Sequence, residues 1–218
     1  MRRLGRRLAG RWPAAPGSAP APGPPSWQRY AAYVRIHPEA EIAPSATLKI
    51  FDPPDPPRVC LEIGARSHVF ASFAILRPEA TIRIGQRCQL GASNFVCAEA
   101  IDIGDDVLMA WGITVMDNDA HALDWRARMH DAATFLDSYR ADPDNPLRNK
   151  NWSAVPRGRI AIGDKSWIGF NASILKGVTI GEKVVVGAMS VVTHSVPANT
   201  VVAGNPARVV RNLPDGAA

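Results

Sequence analysis

His121 lies in the stretch MDNDAHALDWRAR (116–128), with Asp119 two residues and Asp117 four residues before it. An imidazole is the side chain best suited, near neutral pH, to take a proton from a hydroxyl. In an extended segment Asp117, Asp119 and His121 fall on one side, so a carboxylate there could orient the ring or touch a substrate. Turn-forming carboxylates that cap loop amides account for the same spacing. A metal held by all three is a third reading, and nothing else in the chain supports it. A lone loop histidine is also often a bystander, so these residues need a scaffold that explains their position.

That scaffold is a repeat. Aliphatic residues recur six apart in sets: Ile36, Ile42, Leu48; Ile63, Val69, Ile75; Ile84, Leu90, Val96; Ile103, Met109, Val115; Ile162, Ile168, Ile174; and Ile180, Val186, Val192. Glycine often follows, as at Gly64, Gly85, Gly91, Gly104, Gly163, Gly169, Gly181 and Gly187. Helices repeat every 3.6 residues and strands every two; a period of six is one short strand plus a turn. Three such units make a triangular coil of 18, with the aliphatic side chain inside and the next coil about 4.8 Å away. The spacing therefore predicts a parallel β-helix. Parallel crossovers are overwhelmingly right-handed elsewhere, and the spacing itself gives no hand.

The distances between sets locate the insertions. Ile36 to Ile63 is 27 residues, an excess of 9 that matches the DPPDPP loop (52–57). Ile103 to Ile162 is 59, an excess of 41, so one long loop, at about 117–159, leaves the prism and returns. A loop of that length is usually functional or disordered. Trp125, Tyr139 and Trp152 within it argue against disorder.

Residues 1–27, rich in Arg, Pro and Ala, are expected to be a disordered tail, followed by a β-helix domain over 28–212 and a short tail over 213–218. The formal net charge of +5 suggests anionic partners, but Arg2, Arg3, Arg6, Arg7 and Arg11 carry much of it. Cys60, Cys88 and Cys97 have no metal-type spacing and read as small buried residues in a reducing compartment. No apolar stretch approaches the roughly 20 residues that cross a bilayer. A cytoplasmic protein is expected.

From about residue 60 to 212 the chain resembles the hexapeptide-repeat acetyltransferases, the group of galactoside and maltose acetyltransferases. It looks closer still to the O-acetyltransferases of polysaccharide biosynthesis. The resemblance rests on DNDAH (117–121), IAIGDKSWIGFNASILKGVTIGEKVVVGAMSVVT (160–193) and VVAGNPARVVR (201–211). It implies an all-β, left-handed parallel β-helix with one long inserted loop, acting as an acetyl-CoA-dependent O-acetyltransferase on a sugar or polysaccharide precursor. It further implies His121 as general base, direct attack on the thioester, no metal, no nucleic-acid partner, and a homotrimer with sites between neighbouring prisms.

For the acceptor, the resemblance points to Asn94, Asp117, Asp119 and Trp125. For acetyl-CoA it points to Trp167 along the pantetheine arm, Gly169, Ala188 and Thr193 beside it, and His194, Asn205, Arg208 and Arg211 toward the phosphates, which arginine suits well. Two departures stand out. His194 replaces the lysine usual after VT, and Met189 replaces a glycine. Trp125, Arg126, Arg128, Tyr139, Arg140 and Trp152 read equally as a sugar platform and as packing of the loop. N-acetylation of an amino sugar and a non-catalytic β-helix scaffold are the alternatives. Zinc-dependent carbonic anhydrases share the prism, but His37, His68, His121, His130 and His194 show no facing arrangement. Serine acetyltransferases need a helical N-terminal domain that the Pro-rich tail cannot form.

Overall fold

A computed structural model describes residues 25–214. The tail read over 1–27 lies, up to residue 24, outside the described residues. Its last part belongs to the folded body. A 3-10 helix kinked at Tyr30 covers Pro25–Tyr33, and Trp27 is only 2% exposed. The Trp27 indole donates to the Ala46 carbonyl at 3.2 Å and meets the Phe73 ring edge-on at 5.9 Å.

The chain winds into a left-handed parallel β-helix whose three faces are sheets of six, eight and six strands. Pairing is parallel throughout, except for the closing hairpin of Thr200–Gly204 with Ala207–Asn212. On the first face Ile36, Ile63, Ile84, Ile103, Ile162 and Ile180 stack in register. On the second face Ile42, Val69, Leu90, Met109, Ile168 and Val186 do the same and are joined by Val202. These two columns agree with the six-residue count.

The third face departs from it. Its inner column is Leu48, Phe73, Phe95, Val115, Ile174 and Val192. Phe73 and Phe95 take the places that the count assigned to Ile75 and Val96, and their rings stack at 5.1 Å. The corner ahead of this face is shortened there: Val69 to Phe73 is four residues and Leu90 to Phe95 five. A one-residue slip turns a side chain to the opposite face of a sheet, so Val96 points outward beside Met116. Ile75 stays buried because it lies two residues after Phe73, stacked between Ile50 and Cys97.

Corners explain the remaining pattern. A Cβ on Gly104 would lie 2.3 Å from Asp164 Oδ1 and 2.8 Å from the Asp164 nitrogen. The backbones touch, which is why glycine follows the aliphatic residue. Asp164 Oδ1 in turn accepts from the Asp105 N–H at 2.9 Å, and Asp105 Oδ1 from the Gln86 N–H at 3.2 Å, tying each coil to the one before. The turn residues Arg66, Arg87, Asp106, Lys165, Lys183 and Asn199 all have φ between 55° and 61°. Left-handed dihedrals cost a non-glycine residue about 1–2 kcal/mol each, and the flanking ladders hold them. Met189 (φ 59°) occupies such a position, one that a glycine would adopt without strain. The three cysteines are free and buried, and burial pushes Cys60 up to about 11 and Cys88 to about 12.

The two readings of the third face separate by mutation. Phe95→Ala should cost about 3–5 kcal/mol of unfolding free energy, and Val96→Ala about 0.5 kcal/mol or less. Urea denaturation followed by circular dichroism measures both; equal losses would contradict the register.

Candidate active site

The long insertion departs after Met116 and rejoins the first face at Ile160. Its two ends are zipped together. The Gly158 N–H donates to the Asp117 carbonyl at 2.8 Å, the Asp119 N–H to the Pro156 carbonyl at 3.0 Å, and Asn118 bridges Arg157. Between them the segment is partly helical rather than one loop, with α1 (Trp125–Arg128) and α2 (Asp131–Ala141). The helices were not legible because Phe135, Leu136 and Tyr139 on α2 are exposed. Without a face packed on the core, the sequence lacks a buried stripe.

His121 projects from this segment with its side chain 56% exposed. Its Nδ1 lies 2.5 Å from Oδ2 of Asp131, the first residue of α2. A carboxylate only accepts, so Nδ1 carries a proton, which leaves Nε2 as the nitrogen that can hold a lone pair. Among the described residues nothing bonds Nε2. Lys150, on the returning strand of chain, donates to the same Asp131 oxygen at 2.8 Å, and its Nζ lies 3.5 Å from His121 Nδ1. Burial works against ionisation of Asp131, but hydrogen bonds from Lys150 and His121 outweigh it and hold the carboxyl below its ordinary value of 3.8.

The two acids that precede His121 in the DNDAH stretch have other partners. Asp117 is fully buried, accepting from the Ala98 and Glu99 N–H groups at 2.7 and 2.8 Å and touching the Cys97 thiol. It cannot meet a substrate, and the amide-capping reading holds for it. Asp119 pairs with Lys176 at 2.7 Å. The ring's partner is Asp131, ten residues on. Only the fold-back of α2 brings it close, and no spacing rule signals that.

Asn94 is exposed on the third face, in register between Ser72 and Thr114. Trp125 is exposed on α1 with the Arg126 guanidinium over its ring at 5.1 Å. Trp152 packs under cations, with Lys150 Nζ at 5.7 Å and the Arg77 guanidinium at 6.0 Å.

The residues expected to meet acetyl-CoA form a second group. Trp167, 53% exposed, stands on the outer side of the second face in register with Leu108 and Val185. Gly169 lies so close to the next coil that an added Cβ would be 2.6 Å from the Ala188 nitrogen. Thr193 bonds His194 Nδ1 at 2.8 Å. His194 and Arg208 line one groove with Val196, Pro197 and Ala207. Asn205 lies at the hairpin turn and Arg211 is exposed opposite Val201. Among the described residues no hydrogen bond, ion pair or ring contact joins His121 to this group. Nor does any group of three His, Cys, Asp or Glu among them suit a metal, and no helix is long and apolar enough to cross a membrane.

Comparison with known proteins bears on the scaffold and its class. Residues 159–194 match the family described as bacterial transferase hexapeptide (six repeats), and residues 81–116 match the hexapeptide repeat of succinyl-transferase. A Mycobacterium tuberculosis protein assigned as an acetyltransferase is 31% identical over 153 residues, covering 70% of this chain and 44% of its own length. An Escherichia coli protein, WbbJ, assigned to O-acetyl transfer in lipopolysaccharide biosynthesis, is 34% identical over 114 residues, covering 52% and 50%. The chain thus spans about half the length of these curated relatives. Among solved structures, the polySia-specific acetyltransferase NeuO aligns with TM-score 0.59 and 23% identity, covering 84% of this chain and 74% of its own. A mutant of the N-acyltransferase AntD from Bacillus cereus, solved with dTDP and coenzyme A, aligns with TM-score 0.57 and 21% identity, covering 81% and 83%. At these identities the structural likeness speaks for the fold.

Two carboxylates of lowered pKa brace the insertion, Asp131 within it and Asp144 against the coils. Besides Asp131, Asp144 sits below its ordinary value through the hydrogen bond from Lys49, and then from Arg29. A depressed carboxylate stabilises the fold above its unfolded value and loses that contribution as pH falls through the folded one. Acid from pH 5 to 3 should therefore release residues 117–159 before the coils, read by amide hydrogen exchange. Simultaneous loss in coils and insertion would contradict the pinning.

Proposed function

We propose that this chain, a hexapeptide-repeat protein of the bacterial transferase type, transfers an acetyl group from acetyl-CoA to a hydroxyl of a sugar or polysaccharide precursor, with His121 as general base. The observation that carries this reading is the exposed ring held through Nδ1 by Asp131 with Nε2 left open. A histidine serving only to pack would be covered and bonded through both nitrogens.

In the reaction, Nε2 accepts the proton of the acceptor hydroxyl as its oxygen attacks the thioester carbonyl. The tetrahedral intermediate collapses by breaking the carbon–sulfur bond. The departing thiolate takes the proton back from the imidazolium, so the products are the acetyl ester and free CoA. Asp131 keeps the ring proton on Nδ1, so that Nε2 is the nitrogen that exchanges a proton with the substrates. No covalent enzyme intermediate is needed, because the two substrates are held side by side.

The donor is assigned to the second-face group. Trp167 offers a flat apolar wall to a pantetheine arm, and Gly169 with Ala188 leaves room for it along the coils. Arg208, His194, Arg211 and Asn205 are placed at the phosphate end, with Thr193 fixing His194. Asn94, Asp119 and Trp125 are the residues assigned to the acceptor; Asp117 is withdrawn from that role by its burial. The free cysteines fit a reducing compartment, and we place the enzyme in the cytoplasm.

Among the described residues no hydrogen bond, ion pair or ring contact joins His121 to the donor group within one prism, and exposed apolar side chains lie near both. Trp111 stacks on Phe170 at 5.4 Å beside the exposed Met189, while Leu136, Phe135 and Tyr139 lie open on α2. A homotrimer that brings the insertion of one copy against the second face of the next would complete each site and cover this surface. Light scattering coupled to size exclusion should give three times 23.5 kDa; a monomer at working concentration would count against it.

The catalytic assignment has its own test. His121→Ala should lower acetyl transfer by about a hundred- to ten-thousand-fold and leave acetyl-CoA affinity nearly unchanged. Labelled acetyl-CoA, a panel of nucleotide sugars, oligosaccharides and amino sugars, and calorimetric titration of CoA supply the readouts. Undiminished turnover would remove His121 as the base. Label appearing on amines rather than hydroxyls would move the reading to N-acetylation.

A further inference from the structure

Lys150 has no part in the chemistry described so far, yet it is the most enclosed cation at the site. Its side chain is 10% exposed, against 18% for Asp131 and 56% for His121. Burying an ammonium is unfavourable unless it is paired, and here the pairing is specific. Nζ lies 2.8 Å from the Asp131 oxygen that also faces His121, and 5.7 Å from the centre of the Trp152 ring. The surrounding chain fixes it. The Lys150 N–H donates to the Leu147 carbonyl and its own carbonyl accepts from Trp152, both at 3.0 Å. Neighbouring Asn149 donates to Ser138 on α2 at 3.1 Å. The ammonium is therefore held at a set distance from the first turn of α2.

A carboxylate facing a histidine does two things at once. It selects the tautomer with the proton on Nδ1, and it favours the charged ring. The second effect is unhelpful in a base, because an imidazolium has no lone pair to offer. At His121 the carboxylate charge of −1 is matched by an ammonium of +1 on the same oxygen, so geometry is kept while the net charge facing the ring is close to zero. Other ionisable groups lie on the same segment. Asp119 is neutralised by Lys176 at 2.7 Å. The Arg128 guanidinium bonds the carbonyls of Ala122 and Leu123. His130 sits ahead of α2 without a side-chain capping bond.

We propose that Lys150 is a positioning residue of this site, whose ammonium shares the Asp131 carboxylate so that His121 is oriented in one tautomer without being fixed as imidazolium. The proposal rests on His121 being the base, and it predicts opposite consequences for removing the two partners. Without Lys150 the bare carboxylate favours the protonated ring. Without the Asp131 charge the ammonium, 3.5 Å from Nδ1, disfavours it.

Diethyl pyrocarbonate acylates only the neutral imidazole, and peptide mass spectrometry reads its addition to His121 separately from the other histidines, with no acceptor required. In the full-length protein, the pH of half-maximal modification should rise by roughly one pH unit in Lys150→Gln and fall by a similar amount in Asp131→Asn. Lys150→Arg should stay close to the parent. If the Gln variant loses its melting transition, Lys150→Met, which keeps the stem over Trp152, takes its place. Shifts in the same direction, or no shift on removing Lys150, would overturn the proposal. The base assignment stands or falls separately, on turnover by His121→Ala.

Discussion

The whole molecule depends on stacking each inward side chain directly on its counterpart one coil away. Parallel strands separated by about 4.8 Å leave no freedom in the prism: every coil must present a side chain of fitting volume at each of three faces. Fully buried Ile63, Ile103 and Ile174 meet this demand with aliphatics, and Phe73 and Phe95 meet it where the corner is short. The same spacing brings corner backbones into contact, and the glycines and left-handed turn residues follow from it. A scaffold this regular has no deep interior pocket of its own, so any chemistry must be placed outside it, on segments that leave the coil and return in register.

This division explains what could be read from the residues. The repeat is a local property with a period of its own, so the first and second faces were legible by counting. The third face was not, because a corner shortened by one or two residues leaves the period looking intact: Ile75 and Val96 satisfy the count while Phe73 and Phe95 fill the prism. His121 was legible as a residue whose chemistry suits the base proposed for it. Its partner was not. Asp117, Asp119 and Asp124 are all nearer in sequence than Asp131, which reaches the ring only through the direction in which α2 runs. Lys150 is further removed still, arriving from 29 residues downstream.

Three aspartates of the insertion show how partner, rather than residue type, decides a role. Asp117 turns inward at the end of the third face, where two backbone amides and a thiol take its oxygens, and it closes the prism wall. Asp119, two residues on, faces outward and meets Lys176 of the following coil, fastening the start of the insertion to the scaffold. Asp131 stands at the head of a helix and is the one that reaches the imidazole. A pattern that places Asp117, Asp119 and His121 on one side of an extended strand fails because the segment is not extended there. Ala120 has φ of 60°, and the His121 N–H turns back to the Asp119 carbonyl at 2.6 Å. That tight turn points the ring away from its sequence neighbours and toward α2.

The insertion is therefore fixed to the coils at several independent places. Asp119 holds it at its root, Asp144 reaches Lys49 and Arg29 near the first coil, and Trp152 rests by Arg77. Exposed ion pairs are individually weak, but these are spread along the segment, so that no single one carries its position. The base proposed at His121 needs its ring held within a fraction of an ångström of the reacting hydroxyl, and a segment of this length could not provide that through its own short helices. The precision is borrowed from the prism, whose rigid stacking is passed to the imidazole through charges at the root, the far end and the return of the insertion.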